Sequence, residues 1–274
     1  MIKLIVSDLD GTLLDHHKKV DQREIDALRQ AKEAGITLCL ASGRMNLEMQ
    51  QVLQDINHQA HSVSQNGAFI HLMNGTLLQS TLFEPTVAYQ VFQLIQPTDT
   101  VQFICSGDAN YIAQVSPAAE AIQSRMFHPY IVNSELEQAI QQDFPICKFS
   151  VFGSLDILLT LKAQLEKKLG GLLDVYLSDT DCLDIMPHQV SKGTSLLSLL
   201  AHLDISPEQI ACVGDSFNDV SMFGITPHSF AMKSAHPDVK KHASYVVHSV
   251  SETVAHVLAY NEKWINENKG STAL

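Results

Sequence analysis

The chain opens with the stretch Leu4-Ile5-Val6-Ser7-Asp8-Leu9-Asp10-Gly11, an apolar run that ends in two carboxylates and a glycine. The short, β-branched apolar run predicts a buried strand. Residues two apart on an extended segment point to the same side, so Asp8 and Asp10 share one side of the strand end. A pair of carboxylates there suits a divalent cation, or a nucleophile beside a proton donor. Gly11 permits the sharp turn that keeps both at the mouth of the strand.

By itself the Asp-x-Asp-Gly pattern has a plainer interpretation, because Asp and Gly also dominate ordinary strand-ending turns. An EF-hand calcium loop is excluded. Counted from Asp8, its required Gly and Glu positions hold Leu13 and Lys19. The rest of the chain therefore has to decide between a turn and a catalytic site.

The segment after this strand alternates helix and strand. Asp21-x-x-Glu24 predicts a capping box that opens a helix, and Gly35 ends it. Residues 36–41 form a second continuous apolar run, a predicted buried strand, which leads directly into Ser42-Gly43-Arg44. This alternation predicts a parallel sheet with helices on its faces, and such sheets bind ligands beyond the carboxyl ends of their strands. Asp8 and Ser42 both fall at that edge.

The middle of the chain has a different pattern, in which short helices alternate with strands suited to antiparallel pairing. A hairpin signal at Asn74-Gly75, followed by Pro85, marks the exit from the first unit. The alternation of helix and strand that predicts a parallel sheet returns at Met186. Lys192-Gly193 opens a leucine-rich helix, and a predicted buried strand over 210–213 ends at Gly214-Asp215. The pattern predicts an α+β module inserted into a parallel α/β unit. The predicted elements of the insert are helices over 86–95, 117–126, 134–142 and 154–169, and strands over 100–105, 110–115, 146–152, 172–178 and 182–186.

Composition restricts the class of protein. With 274 residues, 45% of them hydrophobic and 18% charged, the chain is expected to be globular with a substantial core. A net charge of −12 argues against nucleic acid or an anionic membrane surface as partner. The five cysteines lie mostly in apolar runs, which predicts buried free thiols in a reducing compartment. No signal peptide and no apolar run of ~18 residues is visible, so a cytoplasmic location is expected.

Four strings in chain order resemble the motifs of the haloacid dehalogenase-like (HAD) phosphatases. They are Asp8-Leu-Asp-Gly-Thr-Leu-Leu14, Ser42-Gly43-Arg44, Lys192, and Gly214-Asp-Ser-Phe-Asn-Asp219. The large insertion between the second and third resembles that of the Cof-type phosphatases, which carry an α+β cap. The resemblance implies an α/β fold with a doubly wound, mostly parallel Rossmann-like core sheet, formed by residues 1–82 and 187–274. It also implies an inserted α+β cap domain over residues 83–186 that selects the substrate.

The resemblance implies a mechanism as well. Asp8 would be the nucleophile that forms an aspartyl-phosphate, and Asp10 the general acid for the leaving group and then the base for water. The implied cofactor is Mg²⁺, held by the Asp8 carboxylate, the Asp10 backbone carbonyl and Asp215. Asp219 completes the metal site by orienting the metal's waters, or it orients Lys192.

A set of phosphate-binding residues is also implied, which offers backbone N–H groups, hydroxyls, one amide and one ammonium: Leu9, Thr12, Ser42, Gly43, Lys192 and Asn218. Arg44 has two open roles, either pairing with phosphate or substrate or bracing its loop. Segments 106–108 and 178–184 are candidates for selecting the substrate, and both are equally consistent with plain turns. Met232-Lys233-Ser234-Ala235 stands where the family usually has Met-Gly-Asn-Ala.

Together these inferences predict a Mg²⁺-dependent phosphatase for small phosphorylated metabolites, such as sugar phosphates or phosphorylated cofactors. Two alternatives stay open: a phosphomutase of the same superfamily, and a regulatory protein that is phosphorylated on aspartate without turnover. A binding protein with a decayed site is disfavoured, because Asp8, Asp10, Lys192 and Asp215 are all present. Either a monomer or a homodimer is compatible with these patterns.

Overall fold

The computed structural model describes residues 1–124 and 126–269. Helices and strands alternate along most of this length, and the fold is α/β. The strands are β1 (Leu4–Ser7), β2 (Thr37–Ala41), β3 (His61–Ser64), β4 (Phe69–His71), β5 (Leu77–Ser80), β6 (Val101–Cys105), β7 (Asn110–Ile112), β8 (Ile131–Val132), β9 (Lys148–Phe152), β10 (Leu173–Asp179), β11 (Cys182–Pro187), β12 (Ile210–Gly214), β13 (Ser229–Met232) and β14 (Tyr245–Val247). The helices are α1 (Gln22–Glu33), α2 (Asn46–Asp55), α3 (Pro85–Ile95), α4 (Pro117–Gln123), α5 (Leu136–Gln141), α6 (Leu155–Leu169), α7 (Lys192–Leu203), α8 (Val220–Phe223), α9 (Pro237–Lys240) and α10 (Val250–Lys269).

The predicted parallel sheet is confirmed. Within the described ranges it has eight strands in the order β14-β13-β12-β1-β2-β3-β4-β5. Every neighbouring pair from β14 to β3 is parallel, whereas β4 and β5 add to one edge as the antiparallel hairpin predicted around Asn74-Gly75. The order runs outward from β1 in both directions, which is the doubly wound arrangement and places β1 in the interior of the sheet.

Side-chain packing explains why β1 is apolar throughout. Ile5 points into a cluster covered by α1, α2 and α10, while Leu4 and Val6 point into a second cluster covered by α7, α8 and α9. All three side chains are at most 1% exposed. Because a strand covered on both faces has no solvent side, its residues do not alternate between apolar and polar.

The insert forms a second sheet, which lies between β5 and α7 in the chain. Its six strands pair in the order β10-β11-β9-β6-β7-β8, all antiparallel except the pair β7-β8. One face is apolar and is covered by α3, α5 and α6. The other face carries Phe103, Lys148 and Asp184, among others, toward the carboxyl edge of the first sheet. The function of this unit as a cap domain over residues 83–186 stays a prediction.

One predicted helix cap is only half present. Asp21 caps α1 by accepting a hydrogen bond from the Arg23 N–H at 2.8 Å. The Glu24 side chain does not complete the capping box, because it is buried and accepts the Ser251 N–H at 2.6 Å. Ser251 lies in the first turn of α10, where N–H groups have no partner within their own helix. The capping-box pattern predicts that the Glu24 carboxylate accepts the Asp21 N–H. It accepts an N–H at the start of α10 instead.

The cysteines agree with the prediction of buried thiols, since all five are buried and unpaired. Burial raises the pKa of Cys105 to about 11, so this thiol stays protonated at neutral pH. Among the described helices, none combines the length and the apolar character that crossing a bilayer requires.

A buried amide joins the last helix to the start of the first strand. The Asn261 side chain in α10 accepts the Ile2 N–H at 2.6 Å and donates to the Ile2 carbonyl at 2.8 Å. Asn261 is 8% exposed and Ile2 is 1% exposed. One side chain thus satisfies both backbone groups of a buried residue and ties two ends of the chain together.

We expect Asn261→Ala to lower the free energy of unfolding by about 2 kcal/mol, because it leaves two buried backbone groups without this partner. Chemical denaturation measures the change. The exposed neighbour Glu262 provides the matched control, Glu262→Ala. Equal unfolding free energies for the two variants would contradict this role of Asn261.

Candidate active site

The predicted motif residues meet at the carboxyl edge of the first sheet. Asp8 follows β1, Ser42 follows β2 and Asp215 follows β12, and β1 pairs with both of the other strands. Parallel pairing aligns the three strand ends, so the residues that follow them gather at one edge. Lys192 is the first residue of α7 and brings its ammonium to the same point.

Lys192 links two carboxylates. Its Nζ lies 2.6 Å from Asp8 Oδ1 and 2.7 Å from Asp219 Oδ1, and its side chain is fully buried. Ser191 caps α7 by accepting the Thr194 N–H, which fixes the start of the helix at Lys192. Burial by itself would lower the pKa of Lys192, but the two carboxylates together raise it above its usual range. The ammonium therefore stays charged beside Asp8.

Asp219 holds the turn that precedes it. Its Oδ2 accepts the N–H groups of Asp215 and Ser216, each at 2.9 Å, while its Oδ1 accepts Lys192. The turn is so close that a Cβ on Gly214 would collide with the Asp219 carboxyl carbon. Both oxygens of Asp219 are engaged, which favours the role of orienting Lys192 over that of contacting a metal's waters.

Three carboxylates crowd together here. Ligand oxygens of Asp8, Asp215 and Asp219 all lie within 4.8 Å of one another. Burial and the Asp219 charge raise the pKa of Asp215 to about 6. Burial also raises the pKa of Asp8 well above its usual range, against the opposing charge of Lys192. Carboxylates brought together in this way attract a proton or a cation, and the all-oxygen donor set fits a hard divalent ion such as Mg²⁺.

Asp10 is held by Arg44 from the second motif. Arg44 Nε lies 2.6 Å from Asp10 Oδ2, and Nη2 lies 2.5 Å from Oδ1. The guanidinium carbon lies 4.2 Å from the centre of the Phe127 ring, and Nη1 lies 3.5 Å from Glu48 Oε1. Burial opposes the Arg44 charge, yet Asp10 and Glu48 raise its pKa above the usual range. Of the two roles predicted for Arg44, this geometry corresponds to bracing.

Half of the predicted phosphate-binding residues share one cavity with the predicted catalytic pair. Ser42, Gly43 and Asn218 line it beside Asp8 and Asp10. The cavity has a volume of about 550 Å³, within the range of about 300–1,000 Å³ that is usual for small-molecule sites. The predicted catalytic pair and three of the six predicted phosphate-binding residues therefore face one space that admits a small ligand.

The other predicted phosphate-binding residues lie behind the cavity wall. The Leu9 side chain belongs to the core, so only its backbone can serve a ligand. The Thr12 hydroxyl donates to Asp215 Oδ1 at 3.1 Å, and Lys192 contacts Asp8. Thr12 and Lys192 thus act on the two carboxylates, and a direct phosphate contact by either stays a prediction.

The second sheet closes the cavity from the opposite side. Phe103 and Phe152 give it apolar walls, and Lys148 and Asp184 give it charged groups. Of the two segments predicted to select the substrate, 178–184 contributes Ser178, Asp179, Cys182 and Asp184 to the lining. Segment 106–108 folds as a turn instead, in which the Ser106 hydroxyl donates to the Ala109 carbonyl at 3.1 Å.

The loop that departs from the family pattern, Met232-Lys233-Ser234-Ala235, is also a turn, closed by the Ala235 N–H on the Met232 carbonyl at 3.0 Å. The next residue, His236, places its ring 5.5 Å from the ring of Phe217 in the fourth motif. The residue after this turn therefore contacts the fourth motif through an aromatic pair.

Sequence reasoning missed three residues that contact the site, Asn66, Phe127 and Lys148, and it included Asp184 only as the end of a candidate segment. Asn66 follows β3 at the same sheet edge as Asp8, so the rule that identified Ser42 also applies to it. Lys148 and Asp184 each interrupt an apolar strand, which marks a buried charge in need of a partner. Phe127 lies in an irregular segment, and no sequence pattern predicts its position over Arg44.

Comparison with known proteins identifies the family. A family model described as haloacid dehalogenase-like hydrolase matches residues 5–258. The chain belongs to the haloacid dehalogenase-like hydrolases. As a member of this family it is an enzyme, a hydrolase of the phosphatase type, and the resemblance stated from its four motifs is confirmed.

Relatives of this hydrolase match nearly its whole length. A protein from Escherichia coli O157:H7 (strain EC4115 / EHEC) is 30% identical over 269 residues, which cover 95% of this chain and 96% of that protein. A protein from Escherichia fergusonii is 30% identical over 266 residues, with the same coverage. Both are named HMP-PP phosphatase.

Solved structures agree with the fold. A HAD/COF-like hydrolase from Plasmodium vivax superimposes with a TM-score of 0.84 at 23% identity, covering 94% of this chain and 96% of that one. At that identity the likeness concerns the fold alone. Because it spans both sheets, it includes the inserted unit that led to the Cof-type assignment.

Gly11 and Gly35 offer a matched pair for testing how tightly the site is packed. Both are in the left-handed region, with φ of +76° and +78°. A Cβ on Gly11 would lie 2.5 Å from Asp215 Oδ2, whereas a Cβ on Gly35 would meet nothing within 4 Å. We expect Gly11→Ala to lower the hydrolysis of p-nitrophenyl phosphate about a hundredfold, because Asp215 must move.

Gly35→Ala imposes the same backbone strain, about 1 kcal/mol, without touching the site, and should keep near wild-type activity. Steady-state kinetics of both variants give the comparison, and thermal unfolding verifies that both are folded. An equal loss of activity in the two variants would contradict the packing argument.

Proposed function

We propose that the protein is a Mg²⁺-dependent phosphatase that hydrolyses phosphate esters of small metabolites through an aspartyl-phosphate on Asp8. One observation carries the proposal: the Asp8 carboxylate is buried between the Lys192 ammonium and the Asp215 carboxylate, and it borders the cavity. An anion can approach phosphorus only where the charge of the phosphoryl group is neutralised, and this position provides that neutralisation.

The first half-reaction forms a covalent intermediate. Asp8 attacks the phosphorus in line with the leaving oxygen, and the bond to that oxygen breaks. Asp8, the Asp10 carbonyl and Asp215 would hold Mg²⁺, which would neutralise charge on the phosphoryl oxygens. Lys192 opposes the effect of burial on the pKa of Asp8 and holds its carboxylate in place, while the N–H groups of Leu9 and Asp10 hold the transferring oxygens.

Ser42, Gly43 and Asn218 supply the rest of the phosphate cradle. Ser42 donates its hydroxyl, and Gly43 donates its backbone N–H where the chain leaves β2 toward α2. Asn218 approaches from the fourth motif on the other side of Asp8. The Ser42 hydroxyl accepts the Arg44 N–H at 3.3 Å, and the Asn218 amide donates to Asn66 Oδ1 at 3.1 Å. These contacts hold the two side chains before the substrate arrives, and preorganised donors stabilise a transition state.

Asp10 moves the protons. It protonates the leaving oxygen in the first step, and in the second it takes a proton from the water that attacks the phospho-aspartate, which releases phosphate and restores Asp8. The Asp10 side chain is 53% exposed at the cavity mouth. There it meets both a leaving group and incoming water, and Arg44 holds its orientation.

The cavity favours a small substrate. In this proposal residues 1–82 and 187–274 form the catalytic core, and residues 83–186 form the cap that selects the leaving group through the face bearing Phe103 and Phe152. Residues 125 and 270–274 of these ranges lie outside the described residues. The compound HMP-PP, for which relatives at 30% identity are named, is the first candidate substrate. Sugar phosphates and phosphorylated cofactors follow. The net charge of −12 disfavours nucleic acid and anionic membranes as partners and agrees with a cytoplasmic enzyme of small metabolites.

Substitutions of the two aspartates of the first motif should impair different steps of the reaction. We expect Asp8→Asn to abolish turnover, because an amide does not attack phosphorus. Asp10→Asn should still form the phospho-enzyme slowly and then retain it, because water is no longer activated. Single-turnover kinetics and intact-mass spectrometry measure the two effects, with the exposed Asp55→Asn as control.

Full activity in Asp8→Asn would contradict the role of nucleophile, and wild-type turnover in Asp10→Asn would contradict the role of acid and base. A wild-type enzyme that requires a sugar bisphosphate activator and transfers phosphate within a sugar would indicate the phosphomutase alternative.

Removal of divalent metal should abolish hydrolysis, and added Mg²⁺ should restore it, because Asp8 and Asp215 then lack the cation that offsets their charge. Asp215→Asn should raise the Mg²⁺ concentration needed for half-maximal activity by about tenfold or more. A metal titration after EDTA treatment measures both. Turnover that persists without metal would disprove this part of the proposal.

A further inference from the structure

Two buried charges of the second sheet have no role in the mechanism described above. Lys148 in β9 is 6% exposed and Asp184 in β11 is 4% exposed. Lys148 Nζ lies 3.9 Å from Asp184 Oδ1. A buried ion pair is a weak source of stability, because desolvation offsets the attraction between the charges. Stability alone therefore does not account for this pair.

The Lys148 ammonium reaches the first sheet. Its Nζ donates to the Gly43 carbonyl at 2.8 Å. Gly43 is the middle residue of the turn from Ser42 to Arg44, whose hydroxyl and N–H groups serve the phosphate in the proposed mechanism. One hydrogen bond thus ties β9 to the peptide that carries the phosphate donors.

Asp184 reaches the opposite side of the phosphate site through an amide. Its Oδ2 accepts Asn66 Nδ2 at 2.6 Å, and Asn66 Oδ1 accepts Asn218 Nδ2 at 3.1 Å. An ionised carboxylate only accepts hydrogen bonds, so Asn66 turns its amino group to Asp184 and its carbonyl to Asn218. This polarity also decides which way the Asn218 amide faces.

Asn66 is suited to transmit this orientation because its backbone is fixed. It has a φ of +54°, and its N–H donates to the Ser42 carbonyl at 2.9 Å. A Cβ on Gly43 would lie 3.2 Å from Asn66 Oδ1, so the amide is packed tightly against the phosphate-binding turn. Asn66 therefore connects Asp184 to both sides of the site.

We propose that Lys148 and Asp184 are positioning residues of the phosphate site. Lys148 sets the turn from Ser42 to Arg44, and Asp184 sets the amide pair Asn66–Asn218. The second sheet thereby contributes to phosphate binding whatever the leaving group, in addition to any selection of that group. The inference rests on the proposed function, because Lys148 and Asp184 act only through residues assigned to phosphate.

Two measurements test the proposal on the full chain with Mg²⁺ present. Calorimetry gives the affinity for inorganic phosphate, a probe without a leaving group. Steady-state kinetics give kcat and KM for a panel of phosphate esters whose leaving groups differ in size and polarity. We expect Lys148→Met to weaken phosphate binding about tenfold and to lower kcat/KM by a similar factor for every ester. Lys148→Arg keeps a charged donor and should recover much of the loss.

A second variant distinguishes a loss of phosphate binding from a loss of the fold. Lys148→Met leaves Asp184 buried without its charged partner, whereas the double variant Lys148→Met/Asp184→Leu removes both charges, an exchange that buried ion pairs tolerate well. The double variant should unfold near the wild-type temperature and still bind phosphate about tenfold more weakly. Lys162→Met is the matched control, since Lys162 Nζ also donates to a backbone carbonyl, that of Val175 at 2.7 Å, away from the cavity.

A folded double variant that binds phosphate as tightly as the wild type would overturn the proposal. So would losses confined to some leaving groups with phosphate affinity unchanged, because the pair would then recognise the leaving group and not position the phosphate site. These outcomes leave the proposed function intact. A wild-type protein that neither hydrolyses esters nor binds phosphate would overturn the proposed function itself.

Discussion

The buried ammonium of Lys192, placed between Asp8 and Asp219, is the interaction on which the rest of the site depends. A carboxylate buried beside two other acids is driven toward its protonated form by desolvation and like-charge repulsion. The fully buried cation opposes both effects at Asp8, although burial still leaves the pKa of Asp8 raised. Its position requires α7 to approach the fourth motif closely, and Gly193 permits this, because a Cβ there would collide with the Ser221 carbonyl. The position of Lys192 therefore depends on the glycine that follows it.

The two sheets meet through contacts of two kinds. Apolar side chains around Phe103 and Met186 pack in a shared cluster with Ala68 and Phe69, which flank the start of β4. At the cavity itself the contacts are polar and specific: Arg44 lies under Phe127, and Lys148 bonds the Gly43 carbonyl. Residues of the candidate site in the first sheet are therefore partly held by side chains of the inserted unit.

Much of the fold was predictable because strands that are buried on both faces have continuous apolar sequences. The apolar runs before Asp8 and Ser42 have no alternation, so they indicated interior parallel strands, and the strand-end rule then placed both residues at one edge. The partner of each side chain was not predictable in the same way. Glu24 bonds Ser251 in the last helix, and Thr12 bonds Asp215. Such choices depend on which distant group is left without a partner, and a local pattern does not contain that information.

The sequence by itself determined the order of the elements, the insertion of one unit into another, and the identity of the residues at the strand ends. These follow from local periodicity and from the spacing of polar residues, which are properties of short segments. Only the tertiary structure decided that Arg44 holds Asp10, that Asp219 holds Lys192 and its own turn, and that Lys148 donates to the Gly43 carbonyl. The physical reason is that these long-range hydrogen-bond partners and buried charges are 27 to 105 residues apart in the chain, where a local sequence pattern carries no information on which groups meet.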